Sequence, residues 1–135
     1  MDLSKFDTSK TADDGVKMQL RDPKDESVVI EGMSITVAGL DSARYREAER
    51  KQTDFRLEQS RVAGRPGKMT TAGIEADRIN LLVACTIAWE GFDLDGKPLE
   101  CTPENARKVY SNPGLRWIRE QVDRFVGDRA NFLKA

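Results

Sequence analysis

Residues 79 to 92 read Ile-Asn-Leu-Leu-Val-Ala-Cys-Thr-Ile-Ala-Trp-Glu-Gly-Phe, the longest apolar run of the sequence. At about fourteen residues the run is too short to cross a bilayer, so it indicates a buried helix of a globular domain. Thr70 or Thr71 can cap this helix, and Gly91 ends it. The sequence therefore predicts a central helix over about residues 71 to 90, with the other elements packed around it.

Length and composition indicate one domain. The 135 residues are enough for a single core, and 22 basic side chains nearly balance 23 acidic ones. No overall field would therefore draw the protein to nucleic acid or to an anionic membrane. Residues 1 to 14 offer only Leu3 and Phe6 as apolar groups, which predicts a mobile N-terminal arm before a domain over residues 15 to 135. The N-terminus lacks the apolar core of a signal peptide, so we expect a cytoplasmic protein.

Two alternating segments predict an N-terminal β-hairpin over residues 16 to 38. Val16, Met18 and Leu20 alternate with polar side chains, and the same period returns from Met33 to Val37. Residues 22 to 27 read as the turn. The apolar residues on the two sides of Gly32 differ in parity, which a bulge or a strand break at this glycine would reconcile.

Three further helices are predicted, over about residues 41 to 62, 103 to 110 and 114 to 133. The first begins at Asp41 as N-cap and is mostly charged, with a narrow stripe of Tyr45, Ala48, Phe55 and Val62. Gly127 is a weak point of the last helix. The predicted fold is α+β and mostly α-helical, with the hairpin packed beside a bundle of about four helices.

The sequence shows no catalytic constellation and predicts no cofactor and no metal site. Histidine is absent, and Cys85 lies in the apolar run, where a thiol is inert. We therefore predict a binding protein and not an enzyme. The candidate partner-binding residues are aromatic: Tyr45, Phe55, Trp117 and Phe132. Trp117 stands to one side of the predicted inward face of the last helix, a position from which tryptophan often anchors an interface.

An ordered set of motifs fills the second half of the chain. A helix that ends in Trp89-Glu90-Gly91-Phe92 is followed by the turn Asp95-Gly96-Lys97-Pro98-Leu99, the helix start Thr102-Pro103-Glu104-Asn105-Ala106 and a last helix with Trp117-Ile118-Arg119-Glu120-Gln121-Val122 and Asn131-Phe132-Leu133. Together with the hairpin that ends in Ala38-Gly39 and the basic helix after it, this set resembles the tail assembly chaperones of long, non-contractile-tailed bacteriophages. The resemblance covers roughly residues 15 to 133.

The resemblance implies a protein of virion assembly that acts in the host cell cytoplasm and is absent from the finished particle. Such a chaperone binds the tape-measure protein and keeps it soluble while tail-tube subunits polymerise around it. Relatives are often made in a second, longer form by ribosomal frameshifting, and the longer form is thought to recruit the tail-tube protein. A homo-oligomer is a further expectation, because self-association along the tape measure would add avidity.

Two other functions fit the sequence. One is a structural tail protein of the virion, such as a terminator or a connector. The other is a small nucleic-acid-binding regulator that uses the basic residues of the first long helix, although acidic residues are interleaved with them and argue against it. These basic residues are Arg44, Arg46, Arg50, Lys51 and Arg56.

Overall fold

A small antiparallel sheet with helices against it forms the fold. The structure is a computed structural model that describes residues 1–67 and 69–133, so the predicted domain limit at residue 135 lies outside the described residues. The helices are α1 (Ser9–Asp14), α2 (Ala43–Ala63), α3 (Thr71–Cys85), α4 (Pro103–Ser111) and α5 (Arg116–Gly127), and the strands are β1 (Val16–Asp22), β2 (Asp25–Val37), β3 (Thr86–Glu90), β4 (Asp93–Leu94) and β5 (Lys97–Pro98). The sheet has the strand order β1-β2-β3, and the short strands β4 and β5 pair separately. An α+β fold with mostly helical secondary structure is confirmed.

Strands β1 and β2 pair antiparallel in the segment where the sequence predicts a hairpin. Asp22 pairs with Asp25, so the turn between the strands is shorter than the predicted one over residues 22 to 27. The register shifts between the pair Gln19 and Ser34 and the pair Arg21 and Val29, and Gly32, with a φ of 82°, lies within this irregularity. The irregularity therefore lies at Gly32, where the change in the alternation of apolar residues predicts a bulge or a strand break.

The central apolar run does not remain helical to residue 90, so this prediction is wrong. Helix α3 ends at Cys85 and the chain continues as β3, which pairs antiparallel with β2 and places Trp89 opposite Ile35. The backbone N–H of Ala38 donates to the carbonyl oxygen of Cys85 at 2.8 Å. The strand forms because it completes the hydrogen bonding along the second edge of β2, and because β-branched and aromatic side chains fit a pleated surface.

The core lies between the inner face of the sheet and helices α3, α4 and α5. Met18 and Leu20 of β1 and Ile35 and Val37 of β2 supply the sheet side, all of them buried. The helices contribute Ile79, Leu82, Val83, Cys85, Ala106, Val109, Tyr110, Ile118, Val122 and Val126.

Part of the N-terminal segment is ordered against the domain, so the prediction of a mobile arm is wrong for residues 9 to 14. Ala12 is buried in the short helix α1, and its carbonyl oxygen accepts from the backbone N–H of Gly39 at 3.1 Å. The Asp13 carboxylate accepts from the backbone N–H of Ala43 at 2.7 Å. These partners come from a distant loop, which composition alone does not reveal. Leu3 and Phe6 remain exposed.

Two predicted helix ends are corrected. Ser42, and not Asp41, is the N-cap of α2, because its side chain accepts from the backbone N–H of Tyr45. Helix α5 ends at Gly127 and does not reach residue 133, because glycine is a poor helix former and Asp128 then caps a 3-10 turn. This turn directs Phe132 into the core.

Two local predictions are confirmed. Thr102 caps α4 by accepting from the backbone N–H of Asn105, and Pro103 occupies the first turn of the helix. Asp95 and Gly96 have φ values of 52° and 80°, as the tight turn between β4 and β5 requires. Both depend on neighbours within a few residues.

Candidate partner-binding surface

Helix α2 lies on the outside of the domain. The structure describes all 21 of its residues, and none of them is buried. Polar bonds join it to α3: the Gln52 amide donates to the carbonyl oxygen of Asp77 at 2.8 Å, and Arg56 forms an ion pair with the Asp77 carboxylate at 2.7 Å. Of the apolar side chains of α2, Tyr45 packs against the core, whereas Phe55, Leu57 and Val62 remain mostly exposed.

Exposed apolar side chains stand along α2. Phe55 is 64% exposed, Leu57 64% and Val62 73%. Side chains of this size normally gain about 1.5–3 kcal/mol from full burial, so a row of them in water indicates a contact surface when they are contiguous. Phe55 and Val62 are seven residues apart and therefore share one face, whereas Leu57 points to another side of the helix.

An open groove follows the face that carries Phe55 and Val62. Its first part, of about 700 Å³, lies between α2, the end of α3 and the start of α4, and Val83 and Ala84 contribute to its lining. Its second part, of about 760 Å³, continues past Phe55 to Val62 and Pro66. We call the whole depression the α2 groove. On the α2 side its uncharged lining residues are Ala48, Gln52, Phe55, Gln59, Val62 and Ala63, and its charged lining residues are Arg44, Glu47, Lys51 and Glu58.

Charged side chains border the α2 groove without forming a single-sign field. Lys51 lies 3.9 Å from Glu47. Arg44 donates to the carbonyl oxygen of Ala84 at 3.5 Å, and Arg107 donates to the Asn80 side chain at 3.2 Å. Exposed pairs of this kind contribute little stability and are screened by salt. They can set the orientation of a partner more than its affinity.

The structure does not bring the four predicted site residues together. Phe55 lines the α2 groove. Tyr45 is half-buried and lies in a separate depression with Met69 and Ile74, between α2 and α3. Trp117 is half-buried, packs against the core and is not among the residues that line the groove.

Phe132, the fourth predicted residue, is only 2% exposed. Its ring packs edge-on against Phe125 with ring centroids 5.5 Å apart. A Cβ added at Gly39 would lie 2.9 Å from this ring, so the loop fits closely over it. Phe132 is therefore a core residue in this structure and offers no surface to a partner.

The interpretation of the sequence missed Gln52 and Gln59 as groove residues. Their polarity hid a regular spacing, because positions 48, 52, 55, 59 and 62 follow one another at alternating intervals of four and three. This spacing places all five side chains on one face of a helix. Spacing alone does not single out this face, because every face of a helix has positions at these intervals, and the polarity of the two glutamines removed the only other signal.

Titratable groups in the domain serve the fold. Burial raises the pKa of Cys85 to about 12, so its thiol stays protonated, and burial also raises the pKa of the half-exposed Cys101. Among residues 1–67 and 69–133, no three side chains of the metal-binding types are grouped so as to hold an ion. None of the helices described is both long and apolar enough to cross a membrane.

No protein-family model, curated protein or solved structure matches this chain.

Proposed function

We propose that this chain is a non-enzymatic tail assembly chaperone of a long-tailed bacteriophage, which binds helical segments of the tape-measure protein in the α2 groove. The observation that carries the proposal is a row of exposed apolar side chains, Phe55 and Val62, along an open groove on an outer helix. The resemblance of the motifs in the second half of the chain supplies the identity of the partner.

The groove suits a helix as its occupant. Phe55 and Val62 are two turns apart, about 10.5 Å along α2, and an amphipathic helix presents its own apolar residues at the same interval. A tape-measure protein is a long and largely helical chain, whose exposed apolar stripes would aggregate if nothing covered them. Many copies of a small domain with one such groove could cover those stripes without tight binding at any one copy.

The remaining parts of the proposal follow from the resemblance. The chaperone domain is the hairpin of β1 and β2 packed beside α2 to α5. It acts in the host cell cytoplasm and leaves before the virion is complete, and a longer frameshifted form would contact the tail-tube protein. Neither nucleic acid nor a membrane takes part.

Co-expression with the tape-measure protein of the same phage tests the proposal. The tagged wild-type chain should retain the tape-measure protein through affinity purification and keep it in the supernatant. Phe55→Asp should reduce retention at least about tenfold, because a carboxylate would be desolvated in the contact. Leu57→Asp is the matched control, since Leu57 is equally exposed on the same helix but does not line the α2 groove.

Two results would contradict the proposal. One is the absence of retention at micromolar concentrations, and the other is equal loss of retention in both variants. Mass spectrometry of purified particles provides a separate check, because several copies of the chain in each particle would make it a structural tail protein.

A further inference from the structure

We propose that the outer half of α2, residues 53–63, opens and refolds locally while the rest of the domain stays folded, and that the ion pair of Arg56 with Asp77 is the latch that limits this opening. The inference rests on the burial and the contacts of α2 and does not depend on the proposed function. It concerns the part of the helix that carries Phe55 and Val62.

The outer half of α2 has almost no packing. From residue 53 to residue 67 every side chain is exposed except that of Ser60, which is half-buried. The inner half differs, because Tyr45 packs against the core and Ala48 and Gln52 are half-buried. Packing of one face supplies most of the stability of a helix in a protein, so the two halves of α2 differ in what holds them.

A gap separates the outer half of α2 from the start of α3. A depression of about 290 Å³ lies between them, with Phe55 and Gln59 on one side and Met69 and Gly73 on the other. Phe55 and Met69 are both more than half exposed, so apolar contact does not close the gap. The two segments therefore face each other across open space.

Polar bonds hold α2 to α3 at the point where the outer half begins. Arg56 pairs with the Asp77 carboxylate at 2.7 Å, and Gln52 donates to the Asp77 carbonyl oxygen at 2.8 Å. The ion pair is partly exposed and therefore contributes little stability. Beyond Arg56, the side-chain bonds described for the outer half are local: Arg61 pairs with Glu58, and Ser60 accepts from the backbone N–H of Gly67.

Helix α3 has its own support and does not take part in the opening. Thr70 caps its start by accepting from the backbone N–H of Gly73. Glu75 pairs at 2.6 Å with Arg119 of α5, whose side chain is only 11% exposed. Ile79 is buried. The opening is therefore confined to the α2 side of the gap.

The outer half is too short to be a stable helix without packing. It has eleven residues, and isolated helices shorter than about 12–15 residues are marginal in water. Thr53, Asp54, Phe55 and Val62 are also weak helix formers. We therefore expect this segment to open far more often than the core does.

Local opening would regulate the α2 groove. When the outer half opens, Phe55 and Val62 leave their positions along the groove. A partner bound to this face would hold the outer half helical, so its apparent affinity is reduced by the fraction of time that the segment is open. This consequence alone rests on the proposed function.

Hydrogen exchange of the purified chain, measured by mass spectrometry over a urea series, tests the proposal. The backbone amides of residues 57–63 should be protected at least about 100-fold less than those of Val122 and Val126 in α5. Their exchange should also stay constant with urea below the global transition, because a local opening exposes little new surface.

Asp77→Asn tests the latch, since it removes the charge but keeps the backbone carbonyl that accepts from Gln52. It should speed exchange of residues 57–63 about threefold. Asp123→Asn is the matched control, because it removes a similarly exposed ion pair, with Arg78 at 3.6 Å, that joins α3 to α5. Exchange of residues 57–63 in this control should equal that of the wild type.

Three results would overturn the proposal: protection of residues 57–63 equal to that of Val122 and Val126, exchange of these residues that rises with urea as it does in α5, or equal acceleration by Asp77→Asn and Asp123→Asn. Added tape-measure protein should slow exchange of residues 57–63, and a retained tape-measure protein that leaves it unchanged would refute the regulation of the groove. Fast local exchange in a chain that retains no tape-measure protein would support the opening and refute the proposed function.

Discussion

A buried hydrogen-bond chain fixes the point at which α3 becomes β3. The Thr86 hydroxyl donates to the carbonyl oxygen of Leu82 at 2.8 Å and lies 2.6 Å from the Tyr110 hydroxyl. Since the single proton of Thr86 is already used, Tyr110 is the donor to Thr86. Tyr110 is 1% exposed, and burial raises the pKa of its phenol above the usual value, so the phenol keeps this proton. The chain ties α4 to the junction of α3 and β3.

The two partners should respond differently to truncation. Tyr110→Phe removes a donor, but Thr86 keeps its bond to Leu82, so the free energy of unfolding should fall by about 1 kcal/mol. Thr86→Val leaves the Tyr110 hydroxyl buried without an acceptor, which costs about 2 kcal/mol. The double variant has no stranded hydroxyl. It should lose about 2 kcal/mol, well short of the roughly 3 kcal/mol that independent effects would give.

Urea unfolding of the wild type and the three variants, followed by circular dichroism, measures these differences. The comparison requires that the unfolding free energy of all four proteins falls with urea concentration at the same slope. The reasoning would be refuted by a double variant whose loss equals the sum of the single losses. It would also fail if Thr86→Val cost no more than Tyr110→Phe, because the buried phenol would then have another acceptor.

Three further results are expected. Gly91→Ala should lower stability by at least about 2 kcal/mol in thermal unfolding, because its Cβ would overlap the carbonyl oxygen of Gly32, whereas Gly32→Ala, also at positive φ but in open space, should cost about 1 kcal/mol; similar losses would contradict the structure. Cys101 should react with a thiol reagent while Cys85 stays protected until the protein unfolds, and equal rates would refute this. Arg129 donates a hydrogen bond to the Asp41 carboxylate, and this bond lowers the pKa of Asp41 in the folded protein. The hydrogen bond from the Thr8 hydroxyl lowers it further, to a lesser degree. Its carboxylate therefore stabilises the fold above the ordinary aspartate range and loses that effect in acid. Asp41→Asn should be less stable than the wild type near neutral pH, and urea unfolding at falling pH should show the gap closing.

Elements whose signals are local could be predicted from the sequence. The alternation from Val16 to Leu20 predicts a strand, the Asp95-Gly96 pair a tight turn, and Thr102 with Pro103 a helix start. Each depends on backbone preferences within a few residues, and tertiary contacts do not override them here.

The wrong predictions share a physical cause, which is a partner far away in the chain. Thr86 to Glu90 leave the helix because β2 offers an edge about fifty residues earlier in the sequence. Ala12 is ordered because Gly39 donates to it. Phe132 points into the core because helix α5 ends at Gly127 and the chain changes direction there. Helical periodicity does not predict which residues beyond such a helix end are buried.

The candidate site was only partly predictable for the same reason. The sequence shows a narrow apolar stripe on a charged helix and names Tyr45 and Phe55 of that stripe as partner-binding residues, but it does not show which of the two the fold leaves exposed. In the structure the contact between α2 and α3 uses the hydrogen bond of Gln52 and the ion pair of Arg56 with Asp77. Sequence patterns do not show that polar groups will hold the helix in place of apolar ones.

The switch at Thr86 and the exposure of α2 are connected. By entering the sheet after Cys85, the chain commits the end of the central apolar run to β2 and the core below, and α2 remains an outer layer with none of its residues buried. Phe55 and Val62, with most of their surface in water, then contribute little to the stability of the fold while they raise the risk of aggregation. Side chains that carry such a cost without a structural return are where a binding function is to be sought. The α2 groove follows from this reasoning even without the resemblance, because Phe55 and Val62 line an open depression, whereas the equally exposed Leu57 does not.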